Sequence, residues 1–502
     1  MKEALVLRIK NELKGYILLF MVLSVVYFFA SLYFIDIHTQ NYNNCKFLIM
    51  LFSWLGIFQL FFTLSSIKRN FGSYISLYSI FYMFLFIFSY GQFIMWALGF
   101  HYDAEMTVSR HVRFIDENTV VRIQVMSLHL LSIFHLFALF AFGKNNSIKN
   151  EVQDVVFRDI SRLIATPMII VSFVINLYVS IVSFGTAANN GYLATFDINL
   201  PVLLKYFSYM FIPAIFLNLI VHNFSKKSFF ILSGIFLIYA IPLAIAGDRG
   251  SWIYFLGPWL WCYFFRVDIQ KQVMTPDKYK WQRKKKIFRM LIIVLTALYV
   301  SSVFVSVRDV GYSVLVKEDF EFTWESLYKP FVKPFFEMGQ SARILGIIIQ
   351  DGLDKTYNYG NTFIADVLGM TLSSVKTWFG YPEWYVENWM SSDYLGMVNY
   401  GVGFSSFAEA YLNGGVYFSW FYMAIFGWFI GSLLNVSSVP GQSSSKRVFV
   451  ALSATSVLGP SVRATLDFWL RQFFWGVLLL LLVCWGIGIF AKESISTRVA
   501  RY

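Results

Sequence analysis

Long apolar stretches recur along this chain and leave few folds open to it. A helix that crosses a bilayer needs about 20 mostly apolar residues. About twelve stretches approach or exceed this length, near residues 15–35, 47–67, 73–100, 123–142, 163–184, 201–221, 228–246, 251–265, 290–305, 415–434, 448–460 and 472–491. Only 14% of the 502 residues are charged, which excludes a water-soluble globule, and the apolar content excludes a disordered chain. The sequence predicts an all-α polytopic membrane protein with about twelve transmembrane helices.

The distribution of Lys and Arg predicts how these helices are oriented. Cytoplasmic segments of membrane proteins carry an excess of both residues. With the N-terminus in the cytoplasm, segments on that side hold about twice as many Lys and Arg residues as the outer segments. They include the densest basic run, Arg283–Lys286. We therefore expect cytoplasmic N- and C-termini. The net charge of +12 suits a membrane surface and not nucleic acid, because the cations lie in short runs between apolar stretches.

One connection, residues 306–414, is much longer than the others, and we call it the external segment. Loops longer than about 15 residues are seldom plain connectors. Its apolar runs, Ile344–Ile349 and Phe363–Met370, predict a helical cap that dips partly into the outer membrane face. The expected organisation is transmembrane helices 1–9 in residues 1–305, the large external loop in 306–414 and helices 10–12 in 415–502. The sequence shows no internal repeat of the kind that marks many transporters.

Arginines at the outer ends of apolar stretches are the first candidates for chemistry. Asp248 and Arg249 lie between two apolar runs and are flanked by glycines, and Arg308 follows another apolar run. A charge held near hydrocarbon costs about 3 kcal/mol or more, so it usually faces a cavity or a ligand. The alternative is that both arginines are interfacial residues that reach to lipid headgroups.

A turn rich in glycine and serine precedes a helix-like stretch in residues 401–415. A turn that opens a helix offers free N–H groups to phosphate oxygens, so Ser405 is a candidate phosphate contact. Glu409 is the one acid in this stretch and a candidate base. The alternative is structural. Ser405 or Ser406 would cap the helix, and Glu409, three residues after Ser406, would complete a capping box.

Two further groups of charged residues lie on expected helices. Arg463, Asp467 and Arg471 are spaced four residues apart, so one helix face would carry all three and line a hydrophilic groove. Alternatively, Asp467 neutralises two interfacial arginines. Glu337 begins another expected helix, which either faces a site or lies on the membrane surface as an amphipathic helix.

The sequence lacks the signals of metal and nucleotide sites. The six histidines do not cluster at ligand spacings, and the three cysteines are far apart. A phosphate loop, a GxGxxG motif and an HExxH motif are all missing. We therefore expect no metal and no cofactor. Several arginines at one membrane face suit a diphosphate, because the guanidinium fork matches its oxygens and keeps its charge.

Two motifs resemble the O-antigen and capsule polysaccharide polymerases of the Wzy family. They are Arg249-Gly250 and a stretch whose matching residues are Gly401, Gly403, Ser405, Ala408, Glu409, Tyr411, Leu412 and Asn413. The predicted topology is also similar to that family over nearly the whole chain. The resemblance implies a GT-C-like glycosyltransferase that joins polyprenyl-diphosphate-linked oligosaccharide repeats at the outer, periplasmic face of the bacterial inner membrane. Expected partners are this lipid, as donor and acceptor, and the bilayer, with a chain-length regulator and a flippase as further candidates.

The implied reaction assigns roles to the candidate residues. A sugar hydroxyl of the incoming repeat attacks the anomeric carbon of the growing chain, and the lipid diphosphate leaves. Glu409 is the expected base, with Glu337 and Asp467 as alternatives. Arginines would stabilise the charge of the departing diphosphate. Arg249, counted as catalytic for that reason, and Arg463 come first, and Arg308 and Arg471 follow.

Aromatic residues and rival functions complete the expectations. Trp378, Tyr381 and Trp384 of the external segment would stack on sugar faces or belong to an interfacial belt.

An O-antigen ligase is the nearest rival. It is expected to rely on a histidine in its large external loop, and residues 306–414 contain none. A flippase for lipid-linked oligosaccharides would need two similar halves and has no use for an outer segment of this size.

Overall fold

A computed structural model gives the fold of the chain. It describes residues 2–37, 44–102, 105–107, 113–142, 151–190, 200–246, 248, 250–270, 324–397 and 403–490, with isolated positions at 195, 198 and between 281 and 299.

All regular secondary structure in this part of the chain is helical. The helices are α1 (Lys2–Ser31), α2 (Cys45–Phe71), α3 (Leu77–Ala97), α4 (Glu117–Phe142), α5 (Glu151–Asn190), α6 (Val202–Ser208), α7 (Phe211–Val221), α8 (Lys226–Ile245), α9 (Gly250–Gln270), α10 (Trp324–Gly339), α11 (Ala342–Asp351), α12 (Leu353–Thr356), α13 (Thr362–Gly369), α14 (Ser373–Trp378), α15 (Val386–Asn388), α16 (Ser406–Leu434), α17 (Ser445–Val457), α18 (Leu466–Phe473) and α19 (Leu479–Phe490). Short π-helical turns extend α1, α15 and α18, and a 3₁₀ turn, Gly459–Val462, follows α17.

Nine helical stretches among the described residues are long and apolar enough to cross a membrane. They are Leu13–Ile37, Cys45–Phe71, Leu77–Ala97, Glu117–Phe142, Asp154–Asn189, Val202–Val221, Lys226–Ile245, Ser406–Leu434 and Leu466–Ile489. This confirms an all-α, multi-pass membrane protein.

Three of the expected twelve spans are not among these nine. Residues 251–265 lie in α9, whose several Trp and Tyr side chains lower its mean hydropathy. Residues 448–460 overlap α17, which has 13 residues, fewer than the about 20 that a span needs. Most of 290–305 lies outside the described residues. Twelve spans therefore stay a prediction.

The chain divides into two compact units. The first comprises residues 1–145, 321–435 and 459–469, and the second comprises residues 146–320, 436–458 and 470–502. In the second unit α5 packs against α7 and α8, and the Asp154 carboxylate accepts hydrogen bonds from the backbone N–H and the hydroxyl of Ser445, at 2.5 and 2.9 Å. The first unit holds the external segment as far as it is described.

Helix α4 forms the centre of the first unit, and α16 packs along it. The contact depends on glycines, because a Cβ built on Gly427 would lie 2.2 Å from the Phe134 carbonyl oxygen, and one on Gly431 would lie 2.7 Å from the Ala138 Cα. Small residues of this kind let helix backbones approach closely in membranes. The packing fixes α16, which carries Glu409 near its N-terminus.

We expect Gly427→Ala to destabilise the protein by about 1–3 kcal/mol, because an added methyl group must push two backbones apart. The amount of intact protein that survives heating in detergent measures this effect. Gly234→Ala in α8 is the matched control, since its Cβ would meet nothing within 4 Å. Equal heat resistance of the two variants would contradict the predicted close contact.

The external segment is anchored to the membrane helices of its own unit. The Gln92 side chain of α3 donates a hydrogen bond to the Phe336 carbonyl oxygen of α10 at 2.9 Å. Gly346 of α11 lies against Ile123 of α4, where a Cβ would be 2.5 Å from the isoleucine Cδ1. These contacts hold the described part of the segment on α3 and α4.

Helix α16 bends at Gly415, where φ is 54° and ψ is −157°. This left-handed conformation favours glycine, and a Cβ at this position would also lie 2.9 Å from the Asp354 carboxylate. The bend separates a first part, which carries Glu409, from the longer apolar remainder. It falls directly after the end of the predicted external segment.

Candidate active site

Glu409 is the centre of a buried polar cluster in the first unit. Its side chain is fully buried, and it accepts a hydrogen bond from the Thr362 hydroxyl of α13 at 2.7 Å. Ser405 is the N-cap of α16, and its hydroxyl accepts from the Ala408 N–H at 3.1 Å. The capping-box interpretation of Ser406 and Glu409 is therefore wrong, because the cap lies one residue earlier and Glu409 faces α13.

Asp366 of α13 is a second buried carboxyl group in hydrogen-bonding contact with Glu409. Asp366 Oδ2 and Glu409 Oε2 meet no hydrogen-bond donor from the residues that the structure describes. Burial, and then the charge of Glu409, raise the pKa of Asp366 well above its usual range. Because two adjacent buried carboxylates repel each other, the pair holds one shared proton, which Asp366 donates to Glu409.

Asp467, at the start of α18, is paired with a buried lysine. Lys376 Nζ lies 2.8 Å from Asp467 Oδ2, and both side chains are almost fully buried. Lys376 also donates a hydrogen bond to the Trp384 carbonyl oxygen at 3.3 Å and lies 5.1 Å from the centre of the Tyr385 ring. Lys376 therefore connects the buried Asp467 to Trp384 and Tyr385, which belong to what we call the aromatic wall.

The predicted charged stripe of Arg463, Asp467 and Arg471 is wrong. Helix α18 begins at Leu466, after the 3₁₀ turn, so Arg463 precedes the helix and the three side chains do not share one helix face. Arg471 belongs to the second unit, where it lies close enough to Lys205 for their positive charges to interact. Asp467 forms a buried ion pair with Lys376.

Glu387, at α15, connects the aromatic wall to the chain before α18. Its carboxylate accepts a hydrogen bond from the Thr465 N–H at 3.2 Å. Burial raises the pKa of Glu387 from 4.5 to about 7, and the Thr465 N–H acts in the opposite direction. Near neutral pH this side chain therefore changes between its acid and its carboxylate.

The raised pKa of Glu387 predicts a pH-dependent stability. A carboxyl group whose pKa is higher in the folded protein than in the unfolded chain destabilises the folded protein when it is ionised. This destabilisation is absent below about pH 4, where the group is protonated in both states, and is complete above about pH 7. We expect Glu387→Gln to be more stable than the parent at pH 8, by roughly 1 kcal/mol or more. Thermal unfolding at pH 4 to 8 measures the difference, which should shrink as the pH falls. A difference independent of pH would contradict this assignment.

Arg463 and Ser405 lie together beside a glycine. The Phe404 N–H donates to the Arg463 carbonyl oxygen at 2.9 Å. Gly403 has a φ of +68°, and a Cβ on it would be 3.5 Å from Arg463 Nε. The Arg463 side chain is exposed and has no carboxylate within 4 Å among the described residues. It is therefore available to an anion.

An open pocket lies beside the carboxyl cluster. It has a volume of about 300 Å³ measured out to its mouth, and its lining residues are Tyr357, Tyr359, Thr362, Ala365, Asp366, Lys376, Tyr381, Pro382, Trp384, Tyr385 and Val386. Asp366 lines the pocket, whereas Glu409 lies behind it. The pocket thus presents aromatic rings, four of them tyrosines with phenolic hydroxyls, together with one carboxyl group, one lysine and the Thr362 hydroxyl.

A comparison with known families decides the identity of the chain. The family model described as O-antigen polysaccharide polymerase Wzy matches residues 16–494. The chain belongs to this family. It is an enzyme that polymerises lipid-linked repeat units in the membrane. No curated protein and no solved structure matches the chain.

The other predicted residues of this Wzy polymerase are placed as follows. Arg249 and Arg308 lie outside the described residues. Glu337 of α10 lies 3.8 Å from Lys333 one turn earlier and does not line the pocket. Tyr381 and Trp384 line the pocket, whereas Trp378 is 76% exposed and does not.

Asp366, Lys376 and Glu387 are polymerase residues that sequence reasoning missed. Asp366 lies within the apolar run Phe363–Met370. A lone acid in an apolar run signals a cavity or a partner, since its burial is costly, and this signal would have found Asp366. Lys376 and Glu387 carry no comparable local signal, because their partners are distant in sequence.

Proposed function

We propose that this Wzy polymerase joins polyprenyl-diphosphate-linked repeats at the outer face of the bacterial inner membrane, with both termini in the cytoplasm and the external segment on the outer side. The family, the nine candidate spans and the excess of Lys and Arg on one side support this placement. We extend the proposal to a GT-C-like arrangement of about twelve spans.

The buried Asp366–Glu409 pair at the wall of an open pocket is the observation that supports the reaction most directly. A hydroxyl of the incoming repeat must lose a proton as it attacks. In this mechanism Asp366 takes that proton at the pocket surface while its own proton passes to Glu409. A pair with one shared proton can accept a second, which fully protonates both groups. Asp366 is thus the catalytic base and Glu409 its proton-accepting partner.

The second half of the reaction is the departure of the lipid diphosphate. The hydroxyl oxygen forms a bond to the anomeric carbon, and the bond from that carbon to the diphosphate oxygen breaks, so the electron pair leaves with the diphosphate. An exposed Arg463, beside Gly403 and the N-cap Ser405, supplies charge for this group. Arg249, Arg308 and Arg471 are proposed as further diphosphate contacts from the sequence alone.

Purified enzyme supplied with lipid-linked repeats tests the proposal. We expect a ladder of glycans that differ by one repeat, with release of the lipid diphosphate and without added metal or nucleotide. Movement of the lipid across a vesicle membrane without a ladder would instead support a flippase. Transfer of glycan only to a lipid core would support a ligase.

Arg463→Ala is expected to lower the yield of polymer by about tenfold, the effect of losing one charge-assisted hydrogen bond. The polymer yield of Arg463→Lys should lie between the yields of Arg463→Ala and the parent, because lysine keeps the positive charge but not the forked guanidinium group. Glycan ladders normalised to the amount of membrane protein measure both. Lys355→Ala, an exposed lysine of the external segment, is the control. An Arg463→Ala enzyme as active as this control would exclude a role for Arg463.

A further inference from the structure

The pocket beside Asp366 is open, and its space of about 300 Å³ includes the mouth. Its enclosed part is small, so it can contact one ring of a repeat unit while the rest of the repeat lies outside. The side chains that line the pocket, more than its volume, indicate what it binds.

Aromatic side chains form much of the pocket wall and are held in place. Tyr359 and Trp384 pack edge to face with ring centres 5.1 Å apart. Tyr381 lies against Gly360, where a Cβ would be 2.8 Å from the ring. Lys376 donates a hydrogen bond to the Trp384 carbonyl oxygen at 3.3 Å. A fixed aromatic wall with polar groups beside it suits a sugar, whose ring faces are apolar and whose edges carry hydroxyls.

The charges around the pocket disfavour an acidic ligand. Asp366 lines it, Glu409 lies behind Asp366, and Asp467 and Glu387 interact electrostatically with these groups. Among the described residues that line the pocket, Lys376 is the one cation, and its charge is already neutralised by Asp467 at 2.8 Å. An anionic sugar in the pocket would meet these carboxyl groups, and the described lining residues offer it no unpaired cation, which is unfavourable at low dielectric.

The position of Asp366 decides which substrate occupies the pocket. If Asp366 takes the proton of the attacking hydroxyl, as proposed above, the ring that touches it belongs to the acceptor and not to the donor. We propose that the pocket binds the acceptor sugar of the incoming repeat, the ring whose hydroxyl forms the new linkage, and that this sugar carries no negative charge. This inference rests on the proposed function and names the substrate class at its site.

Linkage analysis of the natural glycans tests the charge of the acceptor sugar. Cells that lack this protein provide single repeats, and normal cells provide polymer. Methylation analysis of the two glycans identifies the sugar that gains a substituent on polymerisation. We expect a neutral or N-acetylated sugar. A uronic acid or another acidic sugar at that position would overturn the inference and leave the proposed function standing.

Matched tryptophan variants test the location of the acceptor. Trp384→Ala should lower polymer yield by about tenfold, which corresponds to about 1.4 kcal/mol, whereas the exposed Trp378→Ala should leave it unchanged. Tyr381→Ala replaces Trp384→Ala if the latter does not accumulate in the membrane. Equal yields from the pocket and control variants would overturn the inference. Normal polymer from Asp366→Asn would instead overturn the proposed role of Asp366 as the base.

Discussion

Asp366→Asn is expected to stop chain growth and leave single repeats on the cell surface. An asparagine side chain can still donate a hydrogen bond to Glu409, as the protonated Asp366 does, so the buried contact and the fold are retained. It cannot accept the proton of the attacking hydroxyl. General bases of this kind contribute about 10²–10⁴-fold to a rate, so the yield of polymer should fall by a factor in that range. Gel analysis of surface glycan and the ladder assay with purified enzyme measure the loss.

Two companion variants separate the base from its surroundings. Asp393→Asn, at an exposed position of the same segment, should make normal polymer. In Glu409→Gln the amide can donate to Asp366, which would then be ionised and remain able to accept a proton. We expect this variant to be less impaired than Asp366→Asn. A more active Asp366→Asn enzyme would reverse the two roles and make Glu409 the base.

Local sequence patterns identified some members of the site. A glycine and serine turn before a helix pointed to Ser405 and Glu409, and the four-residue spacing with Asp467 and Arg471 pointed to Arg463. The structure brings these residues to one region, because Ser405 caps the helix that carries Glu409 and Phe404 binds the Arg463 backbone. Each of these signals depends on residues within a few positions of one another.

The partners of Glu409 and Asp467 could not be found in this way. Asp366 and Lys376 lie in the middle of the external segment, and they meet Glu409 and Asp467 only after the segment has packed on α16 and α18. The helical stripe of Arg463, Asp467 and Arg471 failed for a related reason. Its periodicity assumed a helix through Arg463, whereas the chain forms a 3₁₀ turn there and starts the helix later.

Membrane helices were easier to predict than the site, since a span is defined by its own length and apolarity. Each of the nine stretches that meet both criteria corresponds to a predicted one. The two described exceptions, α9 and α17, are the segments that were already short in the sequence. Pairing between distant polar residues has no such local signature, and it determines the chemistry here.

Lys376→Met is expected to cause the largest loss of stability of any substitution considered. Methionine keeps the length of the side chain but leaves the Asp467 carboxylate buried without its cation. Removing one partner of a buried ion pair costs about 3–5 kcal/mol, and Asp467 would take up a proton to reduce that cost. The variant should accumulate poorly in the membrane. In detergent it should aggregate at a clearly lower temperature than the parent protein.

The double variant Lys376→Met/Asp467→Leu shows whether the buried charge is the cause. Replacing both members of a buried ion pair with apolar residues is often neutral for stability, so heat resistance should largely return. Polymer synthesis should not return, because Lys376 also holds Trp384 in place through its carbonyl oxygen. Lys333→Met is the control. It removes the longer and less buried ion pair with Glu337 on α10, at 3.8 Å, so its loss of stability should be smaller. If the double variant were as unstable as Lys376→Met, the contacts of Lys376 with Trp384 and Tyr385, and not its charge, would account for the loss.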